Sequence, residues 1–196
     1  MDTSKATLNL LKDLLAKALA KGADAADAVH IESQSLAVAQ RLGRPEKLER
    51  SESSDIGLRV LFGKRQAIVS SSDASSKALE ELIDRVISMA KVVPEDPYCG
   101  LAEKKQLVTE IIDVDNFDPS EPSTETLVDW ANRAEDAARS VAGITNSEGA
   151  EAGWGRATVS VAATNGFAQV YSGSHYSLSA SVLAGTGVKM ERDYDY

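Results

Sequence analysis

Few residues in this chain of 196 have types and spacings that could form a catalytic or metal site. The two histidines, His30 and His175, lie far apart in the sequence, and no HExxH or CxxC pattern occurs. A zinc site needs several nitrogen or sulfur ligands that converge on one point. The sequence therefore predicts no metal site and favours two unrelated histidines on strands.

The candidate nucleophiles lack the neighbours that would activate them. There is no G-x-S-x-G elbow, and the stretch SSSDASS at 70–76 is typical of a loop that runs into a helix cap. Cys99, in DPYCG, has no adjacent histidine or lysine to favour its thiolate form, so we interpret it as an incidental, partly buried thiol. The GTG at 185–187 has no Lys-Ser/Thr after it, which favours a strand exit over a phosphate loop.

The last ten residues, GVKMERDYDY, contain two tyrosines interleaved with acids and an arginine, which indicates a surface that another domain or protein covers. Tyrosine and arginine are enriched at the dominant positions of protein interfaces, and strand alternation puts Tyr194 and Tyr196 on one face. We therefore expect Arg192, Asp193, Tyr194 and Tyr196 to contact another domain or a partner, with Arg192 paired locally. An ordinary frayed tail is the alternative.

Composition limits the class of protein. The net charge of −9 and the lack of a basic stripe weigh against nucleic-acid binding. A single cysteine excludes an internal disulfide framework and fits a reducing compartment. No apolar stretch approaches the length of a membrane span. We therefore expect a soluble cytoplasmic protein that contacts neither nucleic acid nor membrane.

Three segments have the periodicity of amphipathic helices. We predict helices at 7–21, from Ser75 or Ser76 to just before Pro94, and at about 124–141. The stripes expected to be buried are Leu8, Leu11, Leu15 and Leu19 in the first helix, Leu79, Leu82, Ile83, Val86 and Met89 in the second, and Leu127, Val128, Ala131, Ala134, Ala138 and Val141 in the third.

Alternating apolar and polar residues predict strands between the helices. In DAVHIESQSLAVAQRLG, residues 27–43, the apolar residues change from odd to even positions near Ser33–Ser35, which indicates a bulge or a break. Asn165–Gly166 is expected to form a two-residue hairpin turn. Further strands are predicted at 45–53, as an edge or solvent-facing strand, and at 56–62, 66–72, 106–114, 156–164, 167–173 and 176–184.

This order of elements predicts an α+β fold with two consecutive subdomains, each a helix followed by antiparallel strands. Residues 7–70 and 124–184 share the order, which suggests an internal duplication. We expect two sheets, each covered by helices on one face. The predicted domains are a first subdomain at 1–97, a connector with a short strand at 98–123, and a second subdomain at 124–196, truncated before a C-terminal region.

Four stretches, in order, resemble the TldD/PmbA family, in which PmbA is also called TldE. LERSESSDIGLRVLFGKRQAIVSSSD resembles the family's N-terminal signature, and PEDPYCGL, NSEGAEAGWGRATVSVAATNGF and ERDYDY resemble the PmbA branch. The resemblance covers nearly all of the chain. One departure is Asp55 and Ile56, where relatives commonly have a glycine-rich GLG, so the local sheet geometry is expected to differ.

The resemblance implies a two-part, cytosolic metallopeptidase that processes unfolded or modified peptides. A TldD-like subunit carries a HExxxH-type zinc motif, and the PmbA-like subunit is the metal-free half. The family's metal ligands match no position here, so the implied role is a non-catalytic module that contacts a TldD-like subunit and an extended peptide, with zinc in the partner and no cofactor in this chain. Because ERDYDY lies mid-protein in the family, the chain is expected to be an N-terminal portion.

A second function stays open at this point. The family label "modulator of DNA gyrase" suggests a regulatory interaction module that acts on gyrase or on a toxin–antitoxin system without peptidase activity. The negative charge argues against contact with DNA but not against contact with a protein. It also stays open whether the strands bind peptide or only build a scaffold.

We predict that the isolated chain binds no stoichiometric zinc and cleaves no peptide, because the ligand set for zinc is missing. Elemental analysis of protein purified without chelator tests the first part, and incubation with an unstructured peptide tests the second. About one zinc per chain, or hydrolysis that a chelator stops, would contradict the prediction.

Overall fold

The computed structural model describes residues 3–110 and 112–196, which form three α-helices and six β-strands. This combination of helices with an antiparallel sheet confirms the α+β class. The helices are α1 (Thr3–Ala20), α2 (Ser76–Val92) and α3 (Thr124–Arg139). The strands are β1 (Ala25–Arg41), β2 (Arg44–Phe62), β3 (Arg65–Ser71), β4 (Ile144–Ala163), β5 (Ala168–Ala184) and β6 (Glu191–Asp195).

All six strands belong to one sheet, in the order β3-β2-β1-β4-β5-β6. β2 and β3 pair antiparallel, as do β5 and β6, whose register runs from Ala180↔Asp195 to Ala184↔Glu191. The expectation of two sheets is wrong, because β1 and β4 are neighbours and join all the strands into one sheet. The strands predicted at 167–173 and 176–184 are one strand, β5. The internal duplication stays a hypothesis.

The chain divides into two compact units. Each of the four long strands, β1, β2, β4 and β5, contributes residues to both units. The first contains the described residues of Met1–Glu32, Ser53–Val114 and Thr158–Ser172. The second contains Ser33–Glu52, Asp115–Ala157 and Gly173–Tyr196. These units interleave along the chain, whereas the domains predicted from sequence are consecutive; those domain boundaries stay a prediction.

In the first unit, α1 and α2 pack against the sheet. The hydroxyl of Ser75 accepts a hydrogen bond from the N–H of Ala78 at 3.3 Å and caps α2, as predicted. The predicted stripes are buried in part, but Leu19 and Met89 are each 40% exposed. A helix turns 100° per residue, so a row of leucines spaced by four drifts off the buried face. The faces that are buried consist of Leu11, Leu14, Leu15 and Ala18 in α1, and Leu79, Leu82, Ile83, Val86, Ile87 and Ala90 in α2.

The predicted change of phase in β1 is wrong. Ala28 and His30 are buried before Ser33, and Leu36 and Val38 are buried after it, so the buried positions are even on both sides of residues 31–35, none of which is buried. Ile31 is instead partly exposed on the opposite face. Buried His30 is accommodated because its Nε2 forms a hydrogen bond with the hydroxyl of Ser54 at 2.9 Å.

In the second unit, α3 buries a carboxylate on its apolar face. Glu135 is 1% exposed and accepts hydrogen bonds from the N–H groups of Leu42 at 2.8 Å and Gly43 at 3.4 Å. Burial alone would raise the pKa of Glu135, but the hydrogen bonds from Leu42, Ser147 and Gly43 lower it below its ordinary value. The stabilisation is therefore present above the ordinary pKa of a glutamate and is lost as the pH falls through the lowered one.

The rest of this core is apolar. Leu127 and Ala131 of α3 pack with residues of β1 and β4, namely Leu36, Val38, Ala150, Ala152 and Trp154. The prediction that Val141 is buried is wrong, because α3 ends at Arg139 and Val141 is exposed beyond it.

The connector between α2 and α3 has little regular structure. It contains one 3-10 turn at Lys104–Gln106, and the described residues of the strand predicted at 106–114 are not in a strand. Its later part lies along β5, where the carbonyl of Asn116 accepts the N–H of Ser174 at 3.0 Å. No helix in the described ranges is both long enough and apolar enough to cross a membrane.

The β4–β5 hairpin has a three-residue loop, Thr164–Gly166, and not the predicted two-residue turn. The carbonyl of Ala163 accepts a hydrogen bond from the N–H of Gly166 at 3.0 Å, and the N–H of Ala163 donates to the carbonyl of Phe167 at 2.9 Å. Gly166 has a φ of +100°, whereas Asn165 is not at positive φ. A tight turn followed by a left-handed glycine is the usual geometry of a three-residue hairpin.

We predict that Gly166→Val lowers the free energy of unfolding by about 1 kcal/mol or more, because a β-branched residue resists positive φ. Denaturant unfolding measures the change. Gly100→Val is the matched control, since Gly100 lies in the connector with nothing within 4 Å of an added Cβ and is not at positive φ. Equal midpoints for the two variants would contradict the assignment of the turn.

Candidate interaction site on the edge strand

The four residues predicted to make contacts lie at the outer strand of the sheet. Arg192, Asp193 and Tyr194 are in β6, and Tyr196 follows it. Every residue of β6 is exposed, with Tyr194 at 61% and Tyr196 at 92% of full exposure. The structure therefore brings the predicted residues together on one edge, where they are accessible.

Arg192 is paired locally. Its guanidinium donates to the carboxylate of Glu148 in β4, and the hydroxyl of Ser181 in β5 donates to the same carboxylate at 2.8 Å. The hydrogen bond from Arg192, followed by that from Ser181, lowers the pKa of Glu148 below its ordinary value. Three strands, β4, β5 and β6, are thus connected through one carboxylate.

The two tyrosines form an aromatic surface beside this ion pair. The rings of Tyr194 and Tyr196 are stacked, with centroids 6.5 Å apart and planes 15° apart. The guanidinium of Arg192 lies 5.4 Å from the centroid of Tyr194, within the range of a cation–π interaction. Side chains of this kind are typical of anchors in protein interfaces.

A bulge in β4 presents Glu148 to this surface. The buried positions of β4 change from odd to even between Ser147 and Ala150, which is the mark of one extra residue. Gly149, with a φ of +107°, occupies the bulge, and a Cβ there would lie 2.7 Å from the carbonyl oxygen of Gln40. The positive φ and the close approach of the Gln40 carbonyl both require glycine at this position.

A cleft of about 380 Å³ adjoins the strand. Three carboxylates and the guanidinium of Arg192 line the cleft. Between these charged groups the lining includes small residues, among them Ala39, Gly149, Ala150 and Ala180. The lining includes Gln40, Glu46, Glu148, Glu151, Ser181 and Tyr194.

Sequence reasoning missed Glu148 and Ser181. The one signal for Glu148 in the sequence is the stretch SEGAEAG, in which two acids stand among small residues. Such a stretch has no alternation of apolar and polar residues that could predict which side chains are buried. Ser181 is one of several serines on odd positions of its strand, and nothing in the sequence distinguishes it from Ser179.

Both histidines lie on strands, as the sequence predicts. His30 is in β1 and His175 is in β5, where its ring lies so close to Gly155 that a Cβ would collide with it. Cys99 is a buried free thiol. Within residues 3–110 and 112–196, no group of three or more His, Cys, Asp or Glu side chains could hold a metal ion.

The fold and the site define an α+β module with an accessible edge strand. Family models identify it further: the PmbA/TldA metallopeptidase domain 1 matches residues 26–90, and the PmbA/TldA metallopeptidase central domain matches residues 117–196. The chain therefore belongs to the PmbA/TldD family of metallopeptidase-like proteins.

Curated relatives agree with this assignment. The chain is 31% identical over 180 residues to metalloprotease PmbA of Escherichia coli O157:H7, and 30% identical over 162 residues to a PmbA homologue of Haemophilus influenzae. These alignments cover 91% and 82% of this chain but 40% and 36% of the relatives. The chain thus spans well under half the length of the relatives that it matches.

Solved structures share the fold. A Bacteroides thetaiotaomicron protein assigned as a modulator of DNA gyrase superposes with a TM-score of 0.80 at 19% identity, over 99% of this chain and 44% of its own. TldE from Thermococcus kodakarensis superposes with a TM-score of 0.75 at 16% identity, over 95% and 42%. The family name implies a metal, but the described residues offer no ligand set that fits one.

We predict that Arg192→Gln raises the pKa of Glu148 towards the ordinary value of a glutamate, because the largest interaction that lowers it is removed. An NMR titration of the side-chain carboxyl groups measures this change. Glu121 is the internal control, since its own pKa is lowered by a hydrogen bond from Arg50 and should not move. An unchanged Glu148 would show that the ion pair does not form in solution.

Proposed function

We propose that this chain is a non-catalytic module of a PmbA/TldE-like subunit, which acts with a TldD-like subunit in a cytosolic metallopeptidase complex on unfolded or modified peptides. The observation that carries the proposal is the ordered match of the first and central domain models to residues 26–90 and 117–196. In this proposal, zinc and the catalytic residues belong to the TldD-like partner.

The exposed edge is the surface proposed to make the contact. Tyr194 and Tyr196 offer large apolar rings with polar ends, and Arg192 is held beside them by Glu148. Rigid aromatic residues and a pre-positioned arginine lose little conformational freedom on binding. We propose that β6 packs against the TldD-like subunit or a further domain of the same protein, and that extended peptide passes over the adjoining cleft.

The test is co-purification of the full-length protein with a TldD-like subunit, followed by a peptidase assay. We predict a stable complex that cleaves an unstructured peptide only when both subunits are present. Replacing Tyr194 and Tyr196 with serine should weaken the complex at least about tenfold, because two anchors are lost. Replacing Tyr98 and Tyr171 with serine is the matched control, since both tyrosines are exposed elsewhere.

Two results would contradict the proposal. If both double variants bind the partner equally, the edge strand is not the contact. If the protein shows no affinity for a TldD-like subunit but binds gyrase or an antitoxin, the regulatory function is the correct one.

A further inference from the structure

The side-chain amide of Asn165 joins the β4–β5 hairpin loop to the connector between α2 and α3. Its Nδ2 donates to the carbonyl of Ala102 at 2.9 Å, and its Oδ1 accepts a hydrogen bond from the N–H of Phe167 at 3.1 Å. On its other side the loop is held to β1, where the N–H of Thr164 donates to the carbonyl of Ala26 at 2.9 Å. The loop is thus attached to the sheet through Thr164, while Asn165 attaches the connector to the loop.

The connector is attached at two points that flank a buried thiol. The N–H of Asp96 donates to the carbonyl of Lys64, in the turn between β2 and β3, at 2.7 Å, and the carbonyl of Ala102 accepts the amide of Asn165. Cys99, midway between the two points, is 8% exposed although it lies in no helix or strand. A segment without regular structure opens locally at low free energy unless such contacts hold it. The two attachments therefore limit the access of solvent to Cys99.

Asn165 is followed by glycine, the residue that least hinders attack on the asparagine side chain. The other asparagines precede larger residues, in the pairs Asn9–Leu10, Asn116–Phe117, Asn132–Arg133 and Asn146–Ser147. Gly166 is exposed, and no atom lies within 4 Å of the position that a Cβ would take. Glycine allows close approach to its backbone, and asparagine is among the chemically labile residues. The nitrogen of Gly166 and the side-chain carbonyl carbon of Asn165 are therefore an accessible reacting pair.

We propose that Asn165 is a site of spontaneous deamidation and that this modification releases the connector from the hairpin. The nitrogen of Gly166 attacks the side-chain carbonyl carbon of Asn165, the bond from that carbon to Nδ2 breaks, and ammonia leaves with the proton that Gly166 has lost. The cyclic imide that results takes up one water, which cleaves either of the two C–N bonds of the imide. Aspartate or isoaspartate is left at this position. Nothing is oxidised or reduced, and water is the co-reactant.

Either product lacks the donor that holds the connector. A carboxylate has no proton to donate to the carbonyl of Ala102, so two acceptors would face one another there. Isoaspartate also adds a carbon atom to the main chain of the loop, next to the hydrogen bond between Gly166 and Ala163. Because Thr164 still attaches the loop to β1, the change is expected chiefly in the connector, where the thiol of Cys99 becomes accessible.

The native hydrogen bonds also set the rate of the reaction. The N–H of Gly166 is bonded to the carbonyl of Ala163, and both polar atoms of the Asn165 amide have partners, so the attack requires the loop to open first. Deamidation is therefore slower in the folded protein than in a flexible Asn-Gly peptide, and it becomes faster when the connector detaches.

The first experiment compares the full-length protein with a short peptide of residues 161–169 during incubation in a mildly alkaline buffer. Peptide mass mapping and labelling by an isoaspartate-specific methyltransferase measure the conversion. We expect conversion at Asn165 to exceed that at Asn146, the internal control, and to be slower than in the peptide. Asn165→Gln, whose amide lies one carbon further from the main chain, should stay unmodified. An unmodified Asn165 in the protein after the peptide has converted fully would overturn the proposal.

The second experiment measures the release of the connector through the alkylation of Cys99, located by peptide mass mapping. Asn165→Asp, and the deamidated wild-type protein separated by ion exchange, should be alkylated at Cys99 at least about fivefold faster, the factor expected for the loss of one net hydrogen bond. Asn146→Asp is the matched control, since it adds the same charge at an exposed position of β4 where its oxygen can still accept the N–H of Ser147. Equal alkylation of the Asn165→Asp and Asn146→Asp proteins would overturn the release of the connector.

Discussion

The buried carboxylate of Glu135 is the interaction on which the second unit depends. A charge out of contact with water is costly unless donors surround it, and here two N–H groups and the Ser147 hydroxyl do so. The β1–β2 turn needs this support, because Leu42 has a φ of +51°, which a side chain with a Cβ rarely adopts. Glu135 therefore stabilises a turn that the local sequence disfavours.

The same carboxylate fixes the position of the edge site. The hydroxyl of Ser147, which donates to Glu135, accepts the N–H of Gly149 at 2.9 Å within the β4 bulge. Between these two residues lies Glu148, whose side chain is thereby directed towards Arg192 and Ser181. A core residue of α3 thus determines where the carboxylate of Glu148 lies, so the geometry of the candidate site depends on the packing of α3.

Sequence periodicity predicted those elements whose buried face is uniformly apolar. α2 is of this kind and lies where predicted, and the stretch predicted at 56–62 is the buried end of β2, which also includes the strand predicted at 45–53. Prediction from periodicity failed where a polar residue occupies the buried face. His30 is buried against Ser54 while Ile31 faces the other side, and Glu135 takes a place on the α3 stripe that apolarity cannot identify. The exposed tyrosines could be predicted, because residue type and alternation suffice; Glu148 could not, because only the bulge brings it to Arg192.

The stability of β6 has a consequence for how the site works. None of its five residues is buried, so apolar packing contributes little to holding it in place. What holds it is backbone pairing with Ala180–Ala184 and the ion pair between Arg192 and Glu148. Strands with few buried contacts open locally at low free energy. In the proposed complex, a partner that contacts β6 would stabilise it, so that partner binding and the ordering of β6 would be coupled. In the proposed complex, the ion pair between Glu148 and Arg192 would contribute to affinity, because it holds β6 in place before the partner binds.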